Sequence, residues 1–246
     1  MADSCITIER ITKRYPGQTE DTLKGIDLTI AKGDRYGILG PNGAGKTTLI
    51  SILCGLQEPS SGHFYYWGDS EINKIEVKQQ LGFVPQEYAF YGELSPMQNL
   101  EYFGAMYKLS RAEIKSRSLD ILNILGLSEV KNKKVGVFSG GMKRRMNLAI
   151  GIIHQPAVIF LDEPTVGVDV QSKMAIIKLL EHLNEEGATI IYTSHHLDEA
   201  EEFCNRVALI DHGEIIIKGN TQHLLQEHEV DLKGLLINLT GESYRD

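Results

Sequence analysis

Gly40-Pro41-Asn42-Gly43-Ala44-Gly45-Lys46-Thr47 follows the apolar run Tyr36-Gly37-Ile38-Leu39 and precedes a helical stretch, Thr48 to Leu56. The octet fits GxxxxGK[ST] in the strand–loop–helix setting that a phosphate cradle needs. Glycines at 40, 43 and 45 let successive backbone N–H groups turn inward around anionic oxygens, and the helix that follows points its positive dipole end at the same place. Pro41, Asn42, Ala44 and Thr48 complete the cradle. Lys46 is expected to reach the outer phosphates, and the Thr47 hydroxyl to ligate Mg²⁺. A chain of this composition produces the pattern by chance about 0.02 times, before any strand or helix is demanded around it.

A bound phosphate chain calls for a metal ligand and, for hydrolysis, a base near the attacking water. Val158-Ile159-Phe160-Leu161-Asp162-Glu163 supplies both, as a buried strand that ends in two carboxylates. Strand side chains alternate, so the two are expected to face different ways. Asp162 is expected to hold Mg²⁺ through water, and Glu163 to polarise the attacking water.

Outward from these two stretches the pattern is that of an α/β chain. Ser4–Thr12, Leu23–Ile30 and Gly62–Trp67 read as antiparallel strands, and Gly82–Val84, Ala157–Leu161 and Thr189–Thr193 as buried parallel ones. The middle differs. Ser95-Pro96-Met97-Gln98 and Ser110-Arg111-Ala112-Glu113 both read as capping boxes, so residues 95–155 are expected to form an all-helical insert. A hairpin turning at Asp211-His212-Gly213, a short helix from Thr221 and an amphipathic turn near Leu232–Leu239 close the chain.

Composition narrows the function. The 246 residues suffice for one large domain or a domain with a subdomain, and 25 Lys+Arg against 33 Asp+Glu give a net charge of −8. That charge argues against a direct nucleic-acid partner. Met146–Leu161 is too short and too polar to span a bilayer. The opening Met1-Ala2-Asp3-Ser4 lacks a basic and an apolar region, which predicts a chain that stays in the cytoplasm. Cys5, Cys54 and Cys204 are scattered and read as reduced thiols. His195, Asp198 and Glu199 share a helical face, but acids at a helix start serve the dipole, and a metal cluster is not expected there.

Between Lys46 and Asp162 lie 115 residues, and no guanine-specificity motif of the NKxD kind is present. With Phe138-Ser139-Gly140-Gly141-Met142 these features resemble the ATP-binding cassette family over essentially the whole chain. The resemblance implies a P-loop NTPase core, a mixed sheet with an antiparallel β subdomain, in about 1–94 and 156–220. It adds a helical subdomain at about 95–155 and a short C-terminal tail at 221–246. It implies ATP and Mg²⁺ as cofactors and ATP hydrolysis as the activity. Ser139, Gly140 and Gly141 match the family's signature, which covers the γ-phosphate of a second copy packed head to tail, or of a related cassette. Met142 replaces the usual Gln, which touches only contacts near the ribose. Gln86 matches the glutamine that senses Mg²⁺ and the attacking water, His195 the switch histidine on the γ-phosphate, Asp169 the loop linking two sites across a dimer, and Tyr15 the aromatic that stacks on adenine.

The basic run Lys143-Arg144-Arg145 and the tail Leu236–Asp246 are similar to those of prokaryotic drug and polysaccharide exporter cassettes. The resemblance therefore implies separate transmembrane permease subunits and peripheral attachment at the inner face of the cell membrane, with Tyr88, Phe90 and Tyr91 in the stretch Gln86–Glu93 as candidate anchors. A stand-alone cassette ATPase acting in translation, cluster assembly or repair is the alternative. A small-molecule kinase accounts for neither Glu163 beside Asp162 nor the Ser139 motif.

Overall fold

The structure, a computed structural model, describes residues 4–68, 72 and 74–241; the last five residues of the exporter-like tail, 242–246, lie outside them. In chain order the elements are β1 (Ser4–Lys13), β2 (Leu23–Ala31), β3 (Arg35–Leu39), α1 (Lys46–Leu53), β4 (Ser61–Tyr66), α2 (Ile75–Lys78), β5 (Leu81–Val84), α3 (Pro96–Met106), α4 (Arg111–Ile124), α5 (Gly140–Ile152), β6 (Val158–Asp162), α6 (Val170–Glu185), β7 (Thr189–Ser194), α7 (Leu197–Phe203), β8 (Arg206–Asp211), β9 (Glu214–Asn220), α8 (Thr221–His228) and α9 (Leu232–Thr240). The helix after the phosphate loop begins at Lys46 rather than Thr48 and stops at Leu53 rather than Leu56. Gly55, with a left-handed φ of 70°, ends it early.

Two sheets form. One is antiparallel, in the order β2-β1-β4; the other has six strands, β5-β6-β7-β3-β8-β9, parallel except for β9, which pairs antiparallel with β8. Ile8 and Ile11 in β1 break strict alternation, yet both are buried. The register shifts between them, and Arg10 takes φ 48°, so a bulge absorbs the extra residue.

Period-two alternation divides the core around the larger sheet. Val158, Phe160 and Ile191 face α1 and the antiparallel sheet, whereas Ile159, Leu161, Ile190 and Tyr192 face α5, α6, α7 and α9. A strand buried on both faces has no polar alternation to show, which is why these runs read as continuous apolar stretches. The segment 96–152 is helical apart from its loops and two 3₁₀ turns, and both expected capping boxes are formed, at Ser95 with Gln98 and at Ser110 with Glu113. Each cap is worth about 1 kcal/mol. Among the described residues no helix is long and apolar enough to cross a membrane.

Candidate functional site

Parallel strands place the loops that leave their C-terminal ends along one edge of the sheet, the usual place for a site in such a fold. Here β3 delivers Gly40–Thr47, β5 delivers Gln86, β6 delivers Asp162 and Glu163, and β7 delivers His195. Thr22, Asn42, Gly43, Gly45, Lys46, Thr47, Thr48, Gln86 and Glu163 line one cleft of about 210 Å³.

The cradle is tightly packed from behind. A Cβ on Gly40 would collide with the carbonyl oxygen of Ile210 in β8, and one on Gly45, where φ is 105°, would lie 3.0 Å from the Thr22 carbonyl oxygen and 2.7 Å from a Leu23 methyl. Both glycines are thus required by neighbouring backbone as well as by the shape of the loop. Lys46 is buried and donates from Nζ to the carbonyls of Gly40 at 2.8 Å and Pro41 at 3.0 Å, with Glu163 Oε1 at 3.9 Å. Burial lowers its pKa, and the Glu163 and Asp162 carboxylates oppose that shift.

Asp162 and Glu163 are not separated by strand alternation as expected. Asp162 is the last residue of β6, and Glu163 already lies beyond it with φ 51°, a left-handed backbone that costs a non-glycine residue of order 1 kcal/mol. Thr193 holds this turn. Its Oγ1 accepts the Glu163 N–H at 3.1 Å and donates to Asp162 Oδ1 at 2.7 Å. Thr47 donates to the same Oδ1 at 3.2 Å. The Glu163 carboxylate meets His195 Nδ1 at 2.9 Å, so both its oxygen and its backbone are anchored to the end of β7.

Sequence reading missed Thr193 and Thr22. Thr193 is a fully buried polar residue in an apolar strand, paired in register with Asp162; only the neighbouring order of β6 and β7 reveals its partner. Thr193→Val keeps the shape but leaves a buried N–H and a carboxylate oxygen each short of a partner. It should lower stability by about 1–3 kcal/mol, read from the urea midpoint, with Thr193→Ser close to the parent. A valine variant as stable as the parent would contradict this bonding.

The remaining expected residues divide into two places. The Tyr15 hydroxyl donates to Gln57 at 2.9 Å and lies 3.2 Å from Thr48 Oγ1, which fixes the half-buried ring beside the cradle. Ser139, Gly140, Gly141 and Asp169 are elsewhere, and none of them lines the cleft. Ser139 caps α5 by accepting the Met142 N–H at 3.3 Å, and Ser139 and Gly140 are exposed. Asp169 caps α6, and bonds from the Ser172 N–H and hydroxyl hold its carboxyl below the usual carboxylate range. It sits against Gly141, where a Cβ would lie 2.5 Å from Asp169 Oδ2. Glu199 is buried and bonds Thr165 at 2.6 Å, Lys173 at 2.7 Å and the Tyr192 hydroxyl.

The chain is similar to known proteins in sequence and in fold. The ABC transporter family model matches residues 23–166, and an AAA-domain model matches 134–199. The linearmycin resistance ATP-binding protein of Bacillus subtilis (strain 168) is 44% identical over 218 residues, covering 88% of this chain and 69% of its own length. The daunorubicin resistance ATP-binding protein of Streptomyces coeruleorubidus is 35% identical over 243 residues, covering 98% of this chain and 76% of its own. Among solved structures, an ATP-binding cassette in a dimeric post-hydrolysis state bound to ADP and Pi superposes with a TM-score of 0.79 at 27% identity, covering 88% of this chain and 98% of that one.

Proposed function

The chain belongs to the ABC transporter family and is an ATP-binding, ATP-hydrolysing subunit of that family; from this premise we propose that two cassettes close head to tail around two ATP and drive export through separate membrane subunits. One observation carries the two-copy part. The glycine-rich start of α5, exposed at Ser139 and Gly140, is an anion-binding end by its geometry, yet it lies outside the cleft that holds Lys46 and Glu163. A second chain brings the two together.

In the proposed division of labour, residues 40–48 cradle the phosphates, Tyr15 stacks on the adenine, and Ser139, Gly140 and Gly141 of one copy cover the γ-phosphate held by the other. Asp169, against Gly141, links the two sites. The donors near the cradle fit a hard divalent cation, since Thr47 Oγ1 and Asp162 Oδ1 stand 3.2 Å apart and Gln86 lines the same cleft. Thr47, Gln86 and Asp162, the last through water, would hold Mg²⁺, which when bound neutralises phosphate charge. Glu163 takes the proton of the water whose oxygen attacks the γ-phosphorus; the bond to the bridging oxygen breaks, giving ADP and phosphate. His195, 2.9 Å from Glu163, steadies that carboxylate and is the proposed γ-phosphate contact. Product formation weakens the closed dimer, because closure persists only while its ligand binds that state better.

The core is proposed to span about 1–94 and 156–220, the helical subdomain about 95–155, and the tail 221–246. Export is supported by the two drug-resistance relatives, and attachment to permeases at the inner face of the membrane by the half-exposed Tyr88 and Tyr91. Tyr102 and Met106 of α3, also exposed, extend that aromatic shelf. Purification of a tagged copy from gently solubilised membranes should bring down a multispanning protein. Recovery with ribosomes or another soluble assembly instead would favour a stand-alone ATPase.

A further inference from the structure

The basic run 143–145 is not a solvated patch. Arg145 donates to the Leu125 carbonyl at 2.6 Å, and Arg144 is 5% exposed. Arg144 and Asn147 lie three residues apart on one face of α5, and both reach the loop that carries Gln86. Arg144 Nη1 donates to the Gln86 carbonyl at 2.7 Å and to that of Pro85 at 3.4 Å. Asn147 donates to the carbonyls of Pro85 at 2.9 Å and Glu87 at 3.3 Å, and accepts the Ala89 N–H at 2.8 Å. The backbone from 85 to 89 is therefore bound to α5, while Gln86 lines the cleft.

The same helix is seated directly on the strand that leads into this loop. A Cβ on Gly82 of β5 would lie 2.5 Å from the Gly151 carbonyl oxygen, and one on Gly151 would lie 2.5 Å from a Val84 methyl. Strand, loop and helix are locked together by close backbone approach at one end and by side-chain bonds at the other. At its start, α5 carries Ser139 and Gly140 and rests through Gly141 on Asp169 and Ser172.

Arg144 is a costly choice for a purely structural clamp. Among the described residues no carboxylate pairs with it, its Nε has no hydrogen-bond partner, and its guanidinium lies 5.4 Å from the centre of the Tyr88 ring. Buried, unpaired cations are disfavoured in proteins. Burial lowers its pKa, and Tyr88 and the Glu163 and Asp162 carboxylates oppose that shift.

We infer that Arg144 and Asn147 are positioning residues: they fasten the Gln86 loop to α5, so that an anion held at the Ser139 end of the helix sets where Gln86 stands in the chain's own cleft. The inference rests on the proposed roles of Gln86 and Ser139. It gives the α5 helix a second task besides presenting its start to a neighbouring cassette.

The test uses the purified full chain with Asn147→Ala, Arg144→Lys and Gln86→Ala, singly and combined. Asn147→Ala should lower kcat for ATP about tenfold with KM within about twofold of the parent. Amide exchange at Ala89 and its neighbours should quicken at least about tenfold, with β5 and the body of α5 unchanged. Arg144→Lys keeps the charge but not the fork that spans two carbonyls, and should shift both readouts the same way by less. Because the clamp acts only through Gln86, adding either substitution to Gln86→Ala should cost no further turnover. Losses that multiply in the double variants, or faster exchange with parental kcat, overturn the inference. Parental turnover in Gln86→Ala would instead overturn the role of Gln86 itself, and the inference with it. If Asn147→Ala does not fold, Arg144→Lys decides on the same readouts.

Discussion

Glu163→Gln should bind ATP as tightly as the parent and hydrolyse it about 10²–10⁴ times more slowly, the range that a positioned general base contributes. The substitution is nearly isosteric. The amide oxygen can still accept from His195 Nδ1, now at 2.9 Å from Glu163, and Thr193 still holds the backbone N–H, so the left-handed turn survives. What disappears is the site that receives the proton of water. With hydrolysis blocked and ATP retained, the closed pair should accumulate, seen as an ATP-dependent shift from monomer to dimer by light scattering. Rapid turnover in this variant would remove Glu163 from the base role. Slow turnover without a dimer would leave the base in place and count against the head-to-tail arrangement.

Lys46→Ala acts at the other end of the same chemistry. Lys46 is 5% exposed, holds two loop carbonyls and, among the described residues, is the one cationic side chain in the cleft's lining. Removing one partner of a buried charged contact costs about 2–5 kcal/mol, so ATP affinity should fall by about 30-fold to several-thousand-fold in an equilibrium titration. The loss of the two carbonyl bonds also loosens the loop, and amide exchange across residues 40–47 in the alanine variant without nucleotide reads that loosening apart from the lost charge. An alanine variant with parental affinity would show that phosphate is bound elsewhere.

Local features were legible in the residues and long-range ones were not. Ser95 and Ser110 were readable as caps because a cap is settled within four residues, and both form as expected. The strand–loop–helix around Gly40–Thr47 was readable for the same reason. The order β5-β6-β7-β3-β8-β9 was not, since no local pattern says which buried strand lies beside which. Thr193 was hidden by that gap. The orientation of Glu163 was expected from strand alternation but arises from a turn with φ 51°, a conformation that its side chain does not advertise. Arg144 was read as part of a charged stretch; periodicity places it beside Asn147, but only the approach of β5 to α5 shows what the pair holds.

Gly40 and Gly45 change how degenerate members of such a fold are to be recognised. Each is demanded by a wall of carbonyl oxygens behind the loop, from Ile210 and from Thr22, whether or not a nucleotide ever arrives. A descendant that had lost catalysis would remain under folding pressure to keep both, and the glycine pattern would outlive the activity it announces. Glu163, His195 and Gln86 carry no such obligation from the backbone around them. Decay of the enzyme would be written first in those three side chains, and a sequence that keeps the glycines but has lost them is a scaffold with an empty cradle.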